Sequence, residues 1–455
     1  MLRSVNPATG EEIATFRDLS EAELEEKLSA AARAFGKWRT TEYSERSELL
    51  RRIAAQFEAN KDRLARMATL EMGKTFRSAV SEVEKCIAGF HYYADKGPAL
   101  LATERQALKS GGFAELRWLP LGPILAIMPW NFPYWQVVRF LAPTILAGNV
   151  GLLKHAGNVQ GVAQLIEDMV VAAEAPPGLF QTLPIGVPPI ARLIADDRIA
   201  AVTLTGSEGA GAAVAEQAGR ALKKLVLELG GSDPFIVMPS ADLEVAAHTA
   251  VTARVQNTGQ SCVCAKRMIV HADIYDAFLE RFADLMGRVT TGDPFDPAVD
   301  MGPLSSLEQR QTVLDQVAKA QRAGARLISG AQKVDGPGAF MSAGILVDVP
   351  LDSAVTHEEI FGPVAMVFRA ADANDAIALA NAIPFGLGSS VWTNDPAEQE
   401  KFVTGVSAGM TAINQMLASA PEAPFGGIKR SGYGRELGSH GLHEFMNLKT
   451  VLLPA

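Results

Sequence analysis

Residues 123–154 read PILAIMPWNFPYWQVVRFLAPTILAGNVGLLK, and their pattern sets the fold class. Ile124–Met128 is a short apolar run. Asn131 follows as a helix cap, with Pro133 near the first turn. Val137–Leu146 is then an apolar helical stretch and Gly151–Lys154 a second short apolar run. Buried strand, helix and buried strand in that order form a unit of a parallel sheet with helices on its faces. Outward from it, Phe180–Leu183, Ile199–Thr205 and Leu225–Leu229 continue the alternation. It restarts after Gly231 with Pro234–Met238, Arg267–Val270, Leu327–Ser329, Val364–Phe368, Ser389–Thr393 and Met410–Ile413. The chain is therefore expected to hold two α/β units that meet near Gly230-Gly231. The first hundred residues read as helices. Ser20 and Glu23 form a capping box, Leu24, Leu28, Ala31, Phe35 and Trp38 follow at helical spacing, and Gly73 is a stop. Ala107–Trp118 and Asn447–Leu453 fit neither unit and are expected to pair outside the main sheets, across a subunit interface.

Bulk properties exclude several classes. The chain has 455 residues, 48% hydrophobic and 20% charged, with net charge −9. That length exceeds one ordinary core. The acidic balance argues against nucleic acid. The most apolar region, 119–153, is broken by Asn131, Arg139 and prolines at 120, 123, 129, 133 and 143. A membrane span needs about 20 mostly apolar residues, so this region is expected to be core. Cys86, Cys262 and Cys264 make no disulfide framework and suit a reducing, cytoplasmic setting. The N-terminus shows no apolar signal region.

Asn257–Cys264, NTGQSCVC, puts a thiol on a Gly-containing loop, and LELGG at 227–231 puts the Glu228 carboxylate at a strand end. Together they suggest a nucleophile and a base acting through a thioester. Two buried packing thiols and a solvated strand-end acid are the plain alternatives. A metal pair is excluded, because zinc needs about four ligands and no further His or Cys lies near. Thr205–Gly211, TGSEGAG, follows a strand and opens a helix, which suits either a phosphate cradle or a tight turn. Lys154 ends a strand, where open α/β sheets bind ligands. The Asn131 amide either caps its helix or faces an oxyanion. Trp135 and Arg139 share its helix face. A buried Arg139 needs a partner, either an internal carboxylate or a substrate carboxylate.

These residues in this order resemble the NAD(P)-dependent aldehyde dehydrogenase superfamily over nearly the whole chain. The signatures are Pro129–Pro133, Lys154, Thr205–Ser207 with Gly211, Leu227–Gly231, Gly259–Cys262, EEIFGP at 358–363, and PFGG at 424–427 followed by Lys429 and Ser431. The resemblance implies an α/β, aldehyde dehydrogenase-like fold. Residues 1–106 and 119–230 would form a Rossmann-like cofactor domain and 231–430 an α/β catalytic domain. Residues 107–118 and 431–455 would form a small β oligomerisation element of a homodimer or homotetramer. It implies Cys262 as nucleophile, Asn131 and the Cys262 N–H as oxyanion hole, and Glu228 as base. Trp130, Lys154, Thr205, Gly206, Ser207, Gly211, Glu359 and Phe361 would contact the cofactor.

Within the superfamily the chain is similar to the shorter bacterial succinate semialdehyde dehydrogenases, on KHA at 154–156, GGSDPFIV at 230–237 and GLHEF at 441–445. That likeness implies Arg139 on the substrate carboxylate with Trp135, Ser261 and Ser419 nearby, and a redox pairing of Cys262 with Cys264. Many NAD-preferring members carry a Glu where Gly157 stands here. Without that carboxylate a 2′-phosphate is not repelled, so NADP is expected beside NAD and somewhat favoured. A dehydrogenase of another short aldehyde and a non-catalytic protein on this scaffold are the competing readings.

Overall fold

The computed structural model describes residues 1–454. One sheet has six strands, in the order Gly432–Tyr433, Lys224–Glu228, Ala201–Thr205, Pro123–Met128, Val150–His155, Phe180–Thr182. The last five are mutually parallel. From Pro123–Met128 the chain steps outward through two strands, then returns to lay Ala201–Thr205 on the other side. Such a reversal opens a crevice beyond the carboxyl ends of the two adjacent strands. Those ends are Met128 and Thr205, so the turns that follow them share one crevice.

The Trp135–Ala147 helix is buried at every position, as its mostly apolar sequence favours, and it takes Gln136, Arg139 and Thr144 inside with it. Asn131 does not cap it, contrary to the sequence reading. Its first free N–H groups, on Tyr134 and Trp135, donate to Glu82 Oε1 at 2.8 and 2.9 Å. Glu82 sits on the Phe76–Leu100 helix, and its carboxylate takes over the capping role. The Asn131 side chain is thereby released for other contacts.

A second sheet has seven strands, in the order Arg326–Ser329, Gly344–Val347, Val364–Ala370, Ala265–His271, Asp233–Val237, Gly388–Trp392, Met410–Ile413. All neighbours are parallel except the edge strand Arg326–Ser329. The first sheet's Lys224–Glu228 strand and the second sheet's Asp233–Val237 strand are joined through Gly230-Gly231.

Three expectations change. An antiparallel hairpin, Leu2–Val5 with Glu12–Phe16, precedes the helices; its strands are too short and polar to show a period of two. Gly344–Val347 is a strand that four apolar residues did not announce. The three-stranded antiparallel sheet uses Glu104–Ala107, Phe113–Pro120 and Met446–Leu453, not the whole of 431–455. Residues 432–433 join the six-stranded sheet instead. Gly432 stands opposite Glu228 with φ 110°, and a Cβ there would lie 2.0 Å from the Leu227 carbonyl oxygen. Only glycine lets the chain close on that strand. Among the described residues no helix is long and apolar enough to cross a membrane.

Candidate active site

Cys262 sits on a loop held in an unusual backbone shape. Asn257, Thr258 and Gly259 have φ of 54°, 56° and 72° in succession. Such residues carry strain that the surroundings must hold. The buried Arg254 guanidinium donates to the carbonyls of Gly259 (3.0 Å), Ala265 (3.3 Å) and Gly362. Asn257 Nδ2 donates to the carbonyls of Asn131 (2.8 Å) and Gln260 (3.0 Å). Lys266, wholly buried, donates to the carbonyls of Ser261 and Cys262, each at 2.7 Å, and pairs with Glu359 Oε1 at 2.8 Å. The loop is thus fixed from both sides, and Cys262 stands half-buried at its tip. Cys264 is buried, with Sγ 3.7 Å from the Gln256 carbonyl. The two cysteines lie in a turn closed by Cys264 N–H on the Ser261 carbonyl (3.2 Å). All three cysteines are free.

Two cavities meet at Cys262. The first, about 280 Å³, is lined by the turn 129–131, the turn 205–207, Gly230, Glu359 and Phe361. Asn131 Nδ2 donates one N–H to the Gln260 carbonyl at 3.2 Å, and the amide borders this cavity beside the thiol. The backbone N–H of Cys262 donates to no backbone acceptor among the described residues. Trp130 and Phe361 stand edge to face, centroids 5.7 Å apart. A Cβ on Gly230 would come within 2.5 Å of the Glu359 carboxylate, so a side chain there would displace it. His155 steadies the 129–133 turn. Ala156 N–H donates to Nδ1 (3.0 Å), which leaves Nε2–H for the Pro133 carbonyl (2.9 Å). Burial lowers this ring's pKa to about 4, so it is neutral.

The second cavity, about 210 Å³, is lined by Lys85, Trp135, Arg139, Ser261, Ser419 and Phe425. Arg139, 2% exposed, is already paired. Its guanidinium meets the Glu436 carboxylate, donates to Thr205 Oγ1 at 3.1 Å and lies over the Phe425 ring at 4.8 Å. The internal carboxylate that the sequence left open is Glu436.

Glu228 is 2% exposed and borders neither cavity. A Cβ on Gly426 would lie 2.6 Å from its Oε1, so this carboxyl needs the glycine to fit. Neither oxygen has a hydrogen-bond partner. Burial pushes its pKa well above the carboxylate range, and the Glu436 charge adds to this against Arg139 and Arg435. Burial also pushes the Cys262 thiol up to about 12, against Arg139 and Lys266. Cys262 thus rests as the thiol at neutral pH, and burial shifts Glu228 toward its protonated form as well.

Lys154, Gly157 and Gly211 lie off the first cavity. Lys154 is half-buried at the end of Val150–His155, its pKa lowered by burial, and makes no ion pair among the described residues. Gly157 has room: a Cβ would meet only Leu2 Cδ2, at 3.4 Å. Gly211 serves packing, because a Cβ would strike Leu229 Cδ2 at 2.6 Å. Ser207 caps the Glu208–Arg220 helix, accepting from Ala210 N–H at 3.3 Å.

A thiol at the meeting of a glycine-walled crevice and a separate polar cavity agrees with the family comparison. The aldehyde dehydrogenase family model matches residues 1–451. The chain belongs to the aldehyde dehydrogenase family. It is 50% identical over 452 residues to a succinate-semialdehyde dehydrogenase (NADP(+)) 1 of Mycobacterium tuberculosis, covering 99% of each chain. A succinic semialdehyde dehydrogenase from Streptococcus pyogenes, solved with NADP+ as the cofactor, superposes with TM-score 0.98 at 36% identity, covering 100% of both chains. Gox0499, studied for cofactor and substrate selection, superposes with TM-score 0.97 at 42% identity, covering 99% of each.

Four residues at the heart of this aldehyde dehydrogenase escaped the sequence reading: Glu82, Lys85, Lys266 and Glu436. A signal for the first two exists. Ser78, Ser81, Glu82, Lys85 and Gly89 repeat at helical spacing, so an otherwise apolar inner face carries polar groups. Gly89 brings that face against the Trp135 ring, 3.1 Å from where its Cβ would stand. Glu436 gave no local signal, because its partner Arg139 is distant in sequence, and neither did the Lys266 pairing with Glu359.

Proposed function

We propose that the chain oxidises succinic semialdehyde to succinate with NADP as the favoured cofactor, through a thioester on Cys262. The observation that carries the reading is the placing of one thiol at the junction of two cavities, one walled by the turns that follow the sheet strands and one bearing cations and hydroxyls. The first cavity suits a dinucleotide: Trp130 and Phe361 offer flat apolar walls, Gly230 leaves space beside the Glu359 carboxylate, and Lys154 stands unpaired near the open Gly157. The bound nicotinamide would accept the hydride.

Cys262 loses its proton and attacks the aldehyde carbon. The new oxyanion is received by the Asn131 amide and the Cys262 N–H. After hydride loss the acyl group remains on sulfur. Glu228, once deprotonated and turned from Gly426 toward the thioester, takes a proton from water, and the hydroxide releases the acid and the thiolate. Glu228→Ala should keep a first-turnover burst of reduced cofactor with slow release of acid. Loss of the burst in rapid-mix absorbance would assign Glu228 an earlier step.

The exposed outer faces of the three-stranded sheet support a homodimer or homotetramer, and the reduced cysteines support a cytoplasmic setting. Initial rates with succinic semialdehyde, glutaric semialdehyde and butyraldehyde, each with NAD and NADP, test the function. Highest kcat/KM for succinic semialdehyde with NADP is expected. Equal or better turnover of butyraldehyde would overturn the substrate assignment.

A further inference from the structure

The loop that carries Cys262 is pinned through successive carbonyl oxygens. That of Gln260 accepts from Asn131 Nδ2 and Asn257 Nδ2, at 3.2 and 3.0 Å. Those of Ser261 and Cys262 each accept from Lys266 Nζ at 2.7 Å, and Ser261 also takes the Cys264 N–H at 3.2 Å. From another side Gly231 packs on the Cys262 carbonyl, so closely that a Cβ there would stand 2.9 Å from its oxygen. Neighbouring peptide planes are thereby fixed in a row, and one ammonium fixes both that flank the Cys262 Cα.

Lys266 is wholly buried and borders neither cavity. A buried ammonium is costly unless its charge is balanced and its protons are used. Glu359 balances the charge at 2.8 Å, and the two carbonyls take protons. An apolar side chain of similar length would fill the space without that cost, so the charge calls for a role in what it touches. It touches the peptide of the reactive residue. The Ser261–Cys262 peptide carries the Ser261 carbonyl on one edge and the Cys262 N–H on the other, and in a trans peptide the two point in opposite directions. Fixing the carbonyl on Lys266 therefore turns the N–H away from the ammonium. That N–H meets no backbone acceptor among the described residues. A cation on the carbonyl also draws electron density toward oxygen and makes the N–H of the same amide a stronger donor, as linked hydrogen bonds strengthen one another.

We propose that Lys266 is a positioning residue for the oxyanion site: through the Ser261 carbonyl it aims and polarises the Cys262 N–H that receives the oxyanion. This rests on the thioester reading above and adds the group that sets the strength of one of its two donors. Lys266 acts only through the peptide. Because its counter-ion Glu359 borders the first cavity, the same ammonium joins the wall of the cofactor crevice to the oxyanion donor.

The test sets two reactions of one thiolate side by side in the full-length enzyme. With p-nitrophenyl acetate the sulfur adds to the ester carbonyl carbon and an oxyanion forms; its collapse expels p-nitrophenolate and leaves the thioester. With iodoacetamide the sulfur displaces iodide and no oxyanion forms. Both use the thiolate and neither needs cofactor. The help that the Lys266 charge gives to thiol ionisation therefore cancels in the ratio of the two rates. First-turnover release of p-nitrophenolate reads the acylation, and mass of the Cys262 peptide reads the alkylation. In Lys266→Met the ratio of acylation to alkylation is expected to fall by ~10–100-fold, part of the ~100–1000-fold that loss of a whole donor costs. Lys266→Gln, neutral and one bond shorter, should lie between. Asn131→Ala, which removes the other donor, sets the scale. A ratio at the wild-type value in Lys266→Met, or in Lys266→Gln should the methionine variant fail to fold, overturns the proposal, since packing or thiol ionisation alone moves both rates together. Cys262→Ala tests the reading beneath it: ester acylation that survives there overturns the thioester and this proposal with it.

Discussion

The two cavities that meet at Cys262 are built by opposite means. Turns form the walls of the first: 129–131 after one strand, 205–207 after its neighbour, and Gly230 after a third. Its shape is set largely by backbone, and by Gly230, where a Cβ would collide with the Glu359 carboxylate. Side chains form the walls of the second, from the Phe76–Leu100 helix, the Trp135–Ala147 helix and the 417–425 segment. Its character is set by which charges find partners. A backbone wall admits one kind of ligand and tolerates little change. A side-chain wall can be re-specified by single substitutions, provided its charge balance is kept.

Cys262→Ala breaks both sides at once, since the thiol borders both cavities. Turnover should fall by more than ~10⁴-fold with every aldehyde and either cofactor, because the covalent route is removed. Assay of cofactor reduction at high enzyme concentration checks this. A residual rate within tenfold of wild type would remove Cys262 from the chemistry.

Asn131→Ala tests the wall nearest the thiol. Its amide is expected to stabilise the oxyanion, and such donors are typically worth ~100–1000-fold in kcat. The loss should be alike for succinic semialdehyde and butyraldehyde, since the reacting carbonyl is common to both. A loss confined to one aldehyde would mean that Asn131 shapes the second cavity instead.

Legibility from sequence follows the same division. The first cavity was readable because glycines, Pro129, Pro133 and strand ends mark places where backbone geometry leaves no choice. The Ser20 box and the Gly73 stop were readable for that reason, and both stand in the structure, with Gly73 at φ 86°. Asn131 misled as a cap because Glu82, 49 positions earlier in the chain (131 − 82), supplies that function. Arg139 was correctly expected to need a partner, but Glu436 is brought to it from almost three hundred residues away by a β-bridge with Phe425. The seven-stranded sheet's Gly344–Val347 and the N-terminal hairpin were missed because four or five residues carry too little period to separate strand from loop.

Gly157→Glu alters only the cofactor side, where Lys154 stands unpaired. A carboxylate there would repel a 2′-phosphate and accept from a ribose hydroxyl. kcat/KM with NADP should fall by ~10–100-fold, the scale of a like-charge contact, while NAD is unharmed or improved. The space seen beside Gly157 makes this a change of preference rather than of fold. If NADP kinetics are unchanged, the phosphate lies elsewhere. The aldehyde ratio should not move, which separates this wall from the other.

The smallest and most specific effect belongs to the second cavity and is read from pH in the unaltered enzyme. Burial lowers the Lys85 pKa to about 8, and Arg139 adds to this, while Cys86 and Glu82 on its own helix and Cys262 across the cavity oppose it. Lys85 is therefore charged below pH 8 and loses its proton above. kcat/KM reports ionisations of the free enzyme, so any hold that Lys85 has on a substrate carboxylate in this cavity should weaken as pH rises through that value. Cys262 works in the other direction, since a thiol held near 12 becomes a better nucleophile with every added unit of pH. That gain is common to all aldehydes and cancels in the ratio of succinic semialdehyde to butyraldehyde. The ratio should be flat below pH 7.5 and fall above pH 8 by up to about tenfold per unit, the limit for one proton. A ratio that stays level to pH 9.5 would mean that Arg139 and not Lys85 holds the carboxylate, and that Glu436 yields its partner when substrate arrives.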